Sequence, residues 1–133
     1  MTATQISDKT RRALHQRSLG QCEKCGSSRG EQAHHRRPRG MGGTSNLTKH
    51  GLASLLWLCL ACHDRIEHNR ARALVKGWLI DQADPLGADE VPVLLSTVNF
   101  GVARVLLSDD GGVDLAPGED CVDCLPLRGE VVA

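Results

Sequence analysis

Residues 55–70, LLWLCLACHDRIEHNR, decide the fold that we expect for this chain. An apolar run leads into a CxxC pair, and His63 follows the second cysteine directly. Beyond it, apolar residues recur at helical spacing as far as Gly77, a residue that commonly ends helices. We therefore predict a helix that begins near His63 and ends near Lys76.

A matching CxxC pair, CEKC, lies upstream of this stretch. Two such turns can direct four thiolates at one tetrahedral metal ion. In a reducing compartment, cysteines bind metal more often than they form disulfides. The pattern predicts a structural zinc, with reduced core cysteines or disulfides as alternatives, on these ligands: Cys22, Cys25, Cys59 and Cys62.

A third pair, Cys121 and Cys124, lies near the end of the sequence. No third or fourth ligand accompanies it in the sequence nearby. It is half of a second metal site, a redox pair or two incidental thiols, and we favour the last interpretation.

The histidines indicate a second kind of site. His34 and His35 are adjacent in a predicted strand, residues 31–35, so their side chains should point to opposite faces. Glu67 follows His63 by one helical turn, on the same helix face. His34, His63 and Glu67 could then form an open divalent-metal site, whereas the alternative is a surface pair of histidines in a basic loop. We interpret His15 and His50 as surface residues, and His68 as a surface residue or a phosphate contact.

Charge is distributed unevenly although the net charge is zero. Residues 1–80 contain 14 Lys and Arg against 5 Asp and Glu, whereas residues 81–133 contain 2 against 11. This asymmetry favours a nucleic-acid-binding body with an acidic appendage. The alternative is two solvated faces of opposite sign.

Outside the motifs, the pattern predicts a helix over residues 8–19 with Ser7 as its N-cap. Two β-like runs, 91–96 and 102–108, predict a hairpin. No stretch is long enough for a membrane span and the first residues lack a secretory signal, so we expect a soluble intracellular protein.

The chain has the length of one domain with an appended tail. We divide it into a zinc-stapled body at 1–80, a hairpin extension packed on that body at 81–112, and an acidic, flexible tail at 113–133.

The order CEKC, AHHRRPRGMGG, LLWLCLACHDRIEHNR resembles the HNH endonucleases with a zinc-knuckle framework, in the small forms common in actinobacteria and their phages. The resemblance covers roughly residues 20–80. It implies an α+β fold: a small ββα-metal core stapled by the four-cysteine zinc, with an N-terminal helix and a C-terminal β-hairpin.

The resemblance also implies roles for the histidines. His34 matches a position that binds a divalent ion, together with His63. Glu67 lies where some relatives have a further ligand. His35 matches the general base that activates water, a task that suits an imidazole near neutral pH.

The central asparagine of the family corresponds to Ser54 in this sequence, and the nearest asparagine is Asn46. Either residue could orient the general base. Three arginines follow the histidine pair and are expected to contact phosphates of the DNA: Arg36, Arg37 and Arg39.

The expected function is a DNA endonuclease that needs Mg²⁺, Mn²⁺, Ni²⁺ or Zn²⁺ in addition to the structural zinc. The resemblance places it in the cytoplasm of a bacterial host, with DNA and phage packaging proteins as candidate partners. One alternative is a zinc-ribbon-like module that binds nucleic acid without cutting it. Another is a redox or metal-relay protein that uses the third cysteine pair.

Overall fold

The computed structural model describes residues 6–37 and 51–117 of the chain. These residues form three α-helices and two small antiparallel sheets, which confirms the predicted α+β class. Within the described ranges, no helix is long and apolar enough to cross a membrane. The elements, in chain order, are α1 (Asp8–Ser18), β1 (Gln32–His35), β2 (Leu55–Leu58), α2 (Leu60–His68), α3 (Arg70–Lys76), β3 (Val93–Thr97), β4 (Gly101–Leu107) and β5 (Val113–Leu115).

Helix α1 begins where its capping residue predicts. The Ser7 hydroxyl accepts a hydrogen bond from the backbone N–H of Thr10 at 3.1 Å, so the predicted N-cap is confirmed. The helix ends one residue earlier than predicted, because Leu19 takes a left-handed conformation with φ of 55°. Leu14 of this helix is fully buried, whereas Leu19 at its end is exposed.

A buried ion pair holds α1 against the rest of the protein. Arg17 Nη2 lies 2.8 Å from Glu23 Oε1. The same carboxylate oxygen accepts a hydrogen bond from the N–H of Trp57 in β2 at 2.8 Å. Because Glu23 belongs to the CEKC turn, this network fixes that turn relative to β2.

Strands β1 and β2 form an antiparallel hairpin in which His34 lies opposite Leu56. Leu56 belongs to the main core, which also contains Ile66 of α2. Leu55 faces the other way and packs with Leu14 of α1. Since neighbouring strand residues alternate between faces, His34 lies on the side of the hairpin that α2 covers.

The prediction of a single helix after the second CxxC pair is wrong, because two helices occupy that stretch. Helix α2 begins earlier than predicted, with Cys59 as N-cap. Asn69 interrupts the helix with φ of −142° and ψ of 73°, and its side chain caps α3 by accepting the N–H of Arg72 at 3.2 Å. Gly77 ends α3 as predicted, in a left-handed conformation with φ of 84°.

Strands β3 and β4 form the predicted hairpin, and β5 extends it to three strands in the order β3-β4-β5. The third strand was not predicted, because residues 113–115 were assigned to the tail. The turn before it is closed by a hydrogen bond from Ser108 N–H to Gly112 carbonyl at 3.0 Å, which returns the chain along β4. Inward-facing residues of β3 and β4, such as Val93 and Val105, share the main core with α2.

Candidate functional site

Four cysteines come together between the first turn and α2. Cys22 and Cys25 lie in the CEKC turn, and Cys59 and Cys62 lie at the start of α2. Their sulfur atoms all lie within 4.8 Å of one another, and Cys25 Sγ is 3.9 Å from Cys59 Sγ. A tetrahedral zinc with Zn–S bonds of ~2.3 Å requires S–S separations of ~3.8 Å. The cluster therefore fits a structural metal such as zinc.

Backbone geometry explains why each cysteine pair converges. In the first turn, Gly26 N–H donates to the carbonyl of Cys22 at 2.8 Å, and Gly26 takes a φ of 79°. In the second pair, the N–H of Cys62 points at Cys59 Sγ from 3.4 Å. Both turns curl the chain so that two sulfurs face one point.

Local environment sets the protonation of the thiols. Burial raises the pKa of the Cys22 and Cys62 thiols. A hydrogen bond with the Ser27 side chain lowers the pKa of Cys25 to about 6. Cys25 therefore ionises more readily than Cys22 and Cys62, which need a cation to stabilise their thiolates, and metal binding releases protons.

A second group of potential ligands joins β1 to α2. One ligand atom from each of His34, His63 and Glu67 lies within 4.8 Å of the others. The two imidazole rings are edge to face, with centroids 5.4 Å apart and an angle of 79° between their planes. The grouping arises because α2 presents His63 and Glu67 one turn apart, on the flank that faces the end of β1.

The hydrogen bond of His34 determines which nitrogen can bind a metal. Its Nε2 lies 2.8 Å from the backbone carbonyl of Trp78. A carbonyl can only accept, so Nε2 carries the proton and Nδ1 presents a lone pair. Metal-binding histidines usually donate their other N–H to such a partner. The sequence does not predict this contact, because the Trp78 carbonyl is a backbone group that lies 44 residues further along the chain.

The three residues of this second group differ in their exposure to solvent. His34 is buried, His63 is half-buried and Glu67 is exposed. Burial, above all, lowers the pKa of His34 to about 4, which keeps its imidazole neutral and able to bind a cation at neutral pH. Arg70 Nη1 lies 3.0 Å from Glu67 Oε1 and would compete with a cation for that carboxylate. An ion held by these residues would keep an open side towards solvent.

His35 lies outside this group. It is half-buried at the end of β1, opposite Leu55, and strand alternation places it on the other face of the hairpin from His34. Ser54 lies beside it: its side chain is buried and its carbonyl accepts the N–H of Arg36 at 2.8 Å. Asn46 and Arg39 lie outside the described residues.

The expected phosphate contact of Arg36 is not compatible with its position. Its side chain is fully buried, because strand alternation turns it inward on the same side as His34. The guanidinium donates to four backbone carbonyls at 2.8–3.0 Å, those of Ala53, Gly77, Ala88 and Val91. Arg36 is therefore a structural residue that ties the start of β2 to the segments after α3.

Arg37 also bonds to the protein itself. Its guanidinium donates to the carbonyls of Asp81 and Leu86 at 2.6 Å and of Asp84 at 3.1 Å. These bonds hold the 81–86 loop. A phosphate contact by Arg37 would have to use its remaining donors.

Replacing Arg36 with Met is expected to lower the free energy of unfolding by about 3–5 kcal/mol, because buried carbonyls lose a charged donor. Urea denaturation of the zinc-loaded protein measures this, with Arg12→Met on exposed α1 surface as the control. Equal midpoints for the two variants would contradict the structural assignment.

Comparisons of the chain with protein-family models, with curated proteins and with solved structures give no match. The resemblance to the HNH endonucleases accordingly rests on the motifs alone.

Proposed function

We propose that this protein is a metal-dependent DNA endonuclease of the HNH type. The observation that carries the proposal is the convergence of His34, His63 and Glu67 on one point, beside a separate four-cysteine cluster. A binding module that needs only a structural zinc has no use for a second, solvent-open ligand set. The succession of β1, β2 and α2 around this group agrees with the expected ββα-metal core.

The donor set suits a divalent cation. Two imidazole nitrogens and one carboxylate oxygen, open on one side, match the ligands that Zn²⁺, Mn²⁺ and Ni²⁺ accept, and leave positions for water and a phosphate oxygen. When bound, such an ion supplies Lewis-acid stabilisation of the phosphate charge and of the leaving 3′ oxygen.

The protein's own residues supply the remaining steps. The Trp78 carbonyl orients the His34 ring, and α2 presents His63 and Glu67 at fixed spacing. In this scheme His35, the last residue of β1, accepts the proton of the attacking water from the end of the hairpin, because its own strand face is opposite to that of His34. Ser54 or Asn46 orients His35 in this scheme. The basic half of the chain attracts DNA by phosphate contacts, so affinity should fall with salt.

The direct test is incubation of the zinc-loaded protein with supercoiled plasmid and Mg²⁺, Mn²⁺ or Ni²⁺. We expect conversion to nicked or linear DNA, inhibition by EDTA, and recovery when the divalent ion is added back. Because the 3′ oxygen is the leaving group, each cut leaves a 5′-phosphate end and a 3′-hydroxyl end, which DNA ligase can rejoin. Plasmid that is bound but stays intact with every ion would contradict the proposal and favour the zinc-ribbon-like binding module.

A further inference from the structure

A cavity of about 340 Å³ lies on the other flank of α2. Its volume falls within the range of about 300–1,000 Å³ typical of ligand pockets. Arg65 lines it, and successive helix residues are separated by ~100°, so Arg65 and His63 point away from each other by ~200°. The cavity is thus distinct from the His34 group.

The floor of the cavity is apolar and aromatic. It is formed by Ile66 and Trp78, whose indole Nε1 donates to the Leu94 carbonyl at 2.7 Å and so fixes the ring. Lys24 Nζ lies over this ring, 4.2 Å from its centroid. Lys24 belongs to the CEKC turn, so the four-cysteine cluster fixes the position of Lys24 relative to the Trp78 ring.

The rim of the cavity is cationic. Lys24, Arg65 and Arg72 surround the opening, and the two arginines are exposed. No Asp or Glu is among the described residues that line it. An aromatic floor below a ring of positive charge favours a ligand that is both flat and anionic.

We propose that this cavity binds one unpaired nucleotide of a DNA strand, with its base on the Trp78 ring and its phosphates at Lys24, Arg65 and Arg72. Proteins that hold single strands combine aromatic platforms with cationic grooves in this way. The Lys24 ammonium covers the Trp78 ring, which is only 8% exposed, so the base has to displace this ammonium, which then pairs with phosphate. The inference rests on the proposed function in that DNA reaches the protein, and it requires no cleavage.

The test compares two decamers with equal numbers of phosphates, oligodeoxythymidylate and an abasic analogue. Binding to zinc-loaded protein, without any other divalent ion, is measured by fluorescence anisotropy. We expect about ten-fold tighter binding of the thymidylate, since stacking of one base contributes about that factor. Equal affinities, or no binding of either decamer, would overturn the proposal.

Two sets of variants locate the site. The Arg65→Ala/Arg72→Ala protein should bind the thymidylate at least ten-fold more weakly, whereas Lys9→Ala/Arg12→Ala, which removes equal charge from exposed α1 surface, should lose less. Equal losses would overturn the proposal.

Fluorescence reports the base directly. Trp57 Nε1 is buried and donates to none of the described residues, so Trp57→Phe removes the other tryptophan and breaks no hydrogen bond of its indole within that part of the chain. In that background the thymidylate should quench Trp78 emission and the abasic decamer should not. Quenching by both would contradict base stacking. If the protein cleaves plasmid but binds the two decamers equally, only the proposal for the cavity is refuted. If it prefers the thymidylate but does not cleave plasmid, only the proposed nuclease function is refuted.

Discussion

The Cys25→Ser protein is expected to bind no zinc and to show no cooperative thermal transition. Cys25 is exposed, so its replacement creates no core cavity, and loss of structure would follow from loss of the metal. A structural zinc contributes about 10 kcal/mol or more to the folding of small domains. That is comparable to the entire net stability of a domain, about 5–15 kcal/mol. Zinc content by mass spectrometry and melting by circular dichroism measure the effect.

Cys121→Ser provides the matched control. Cys121 belongs to the third cysteine pair, outside the described residues, and its replacement should leave zinc content and melting temperature unchanged. A folded Cys25→Ser protein without zinc would contradict the structural role of the cluster. Loss of zinc in the Cys121→Ser protein would assign the third pair to a metal site.

The second large effect is expected at His35. His35→Ala should slow plasmid cleavage by about 10²–10⁴-fold, the usual contribution of a general base. Zinc content and DNA affinity should remain at parental values, because His35 is neither a cysteine-cluster ligand nor a member of the His34 group. Cleavage rates and DNA binding of the same preparation separate catalysis from folding. Parental cleavage by His35→Ala would show that another group takes the proton.

Local patterns predicted the parts of the molecule that depend on neighbouring residues. Ser7 caps α1, Gly77 ends α3, and two CxxC turns converge on one point. The grouping of His63 with Glu67 follows from helical spacing alone. The approach of His34 was inferable because the cysteine cluster anchors the start of α2 near β1.

Other features depend on contacts that a sequence pattern does not contain. Arg36 was expected at the DNA because it follows two histidines in a basic run, yet four carbonyls from distant segments enclose it. The break at Asn69 depends on a side-chain cap that competes with helix continuation. Strand β5 forms only because β4 offers an edge. The cavity beside α2 combines residues from three separate segments, so no sequence motif predicts it.

The most direct test of the account compares His63 of α2 with His15 of α1 in the same cleavage assay. His63 belongs to the His34 group, whereas His15 is exposed on α1. Across a Mn²⁺ series, zinc-loaded His63→Ala should cut supercoiled plasmid at least ~100-fold more slowly than the parental protein, because metal catalysis is worth several kcal/mol. His15→Ala should cut at the parental rate. Equal rates for the two variants would contradict a catalytic metal at His34 and His63.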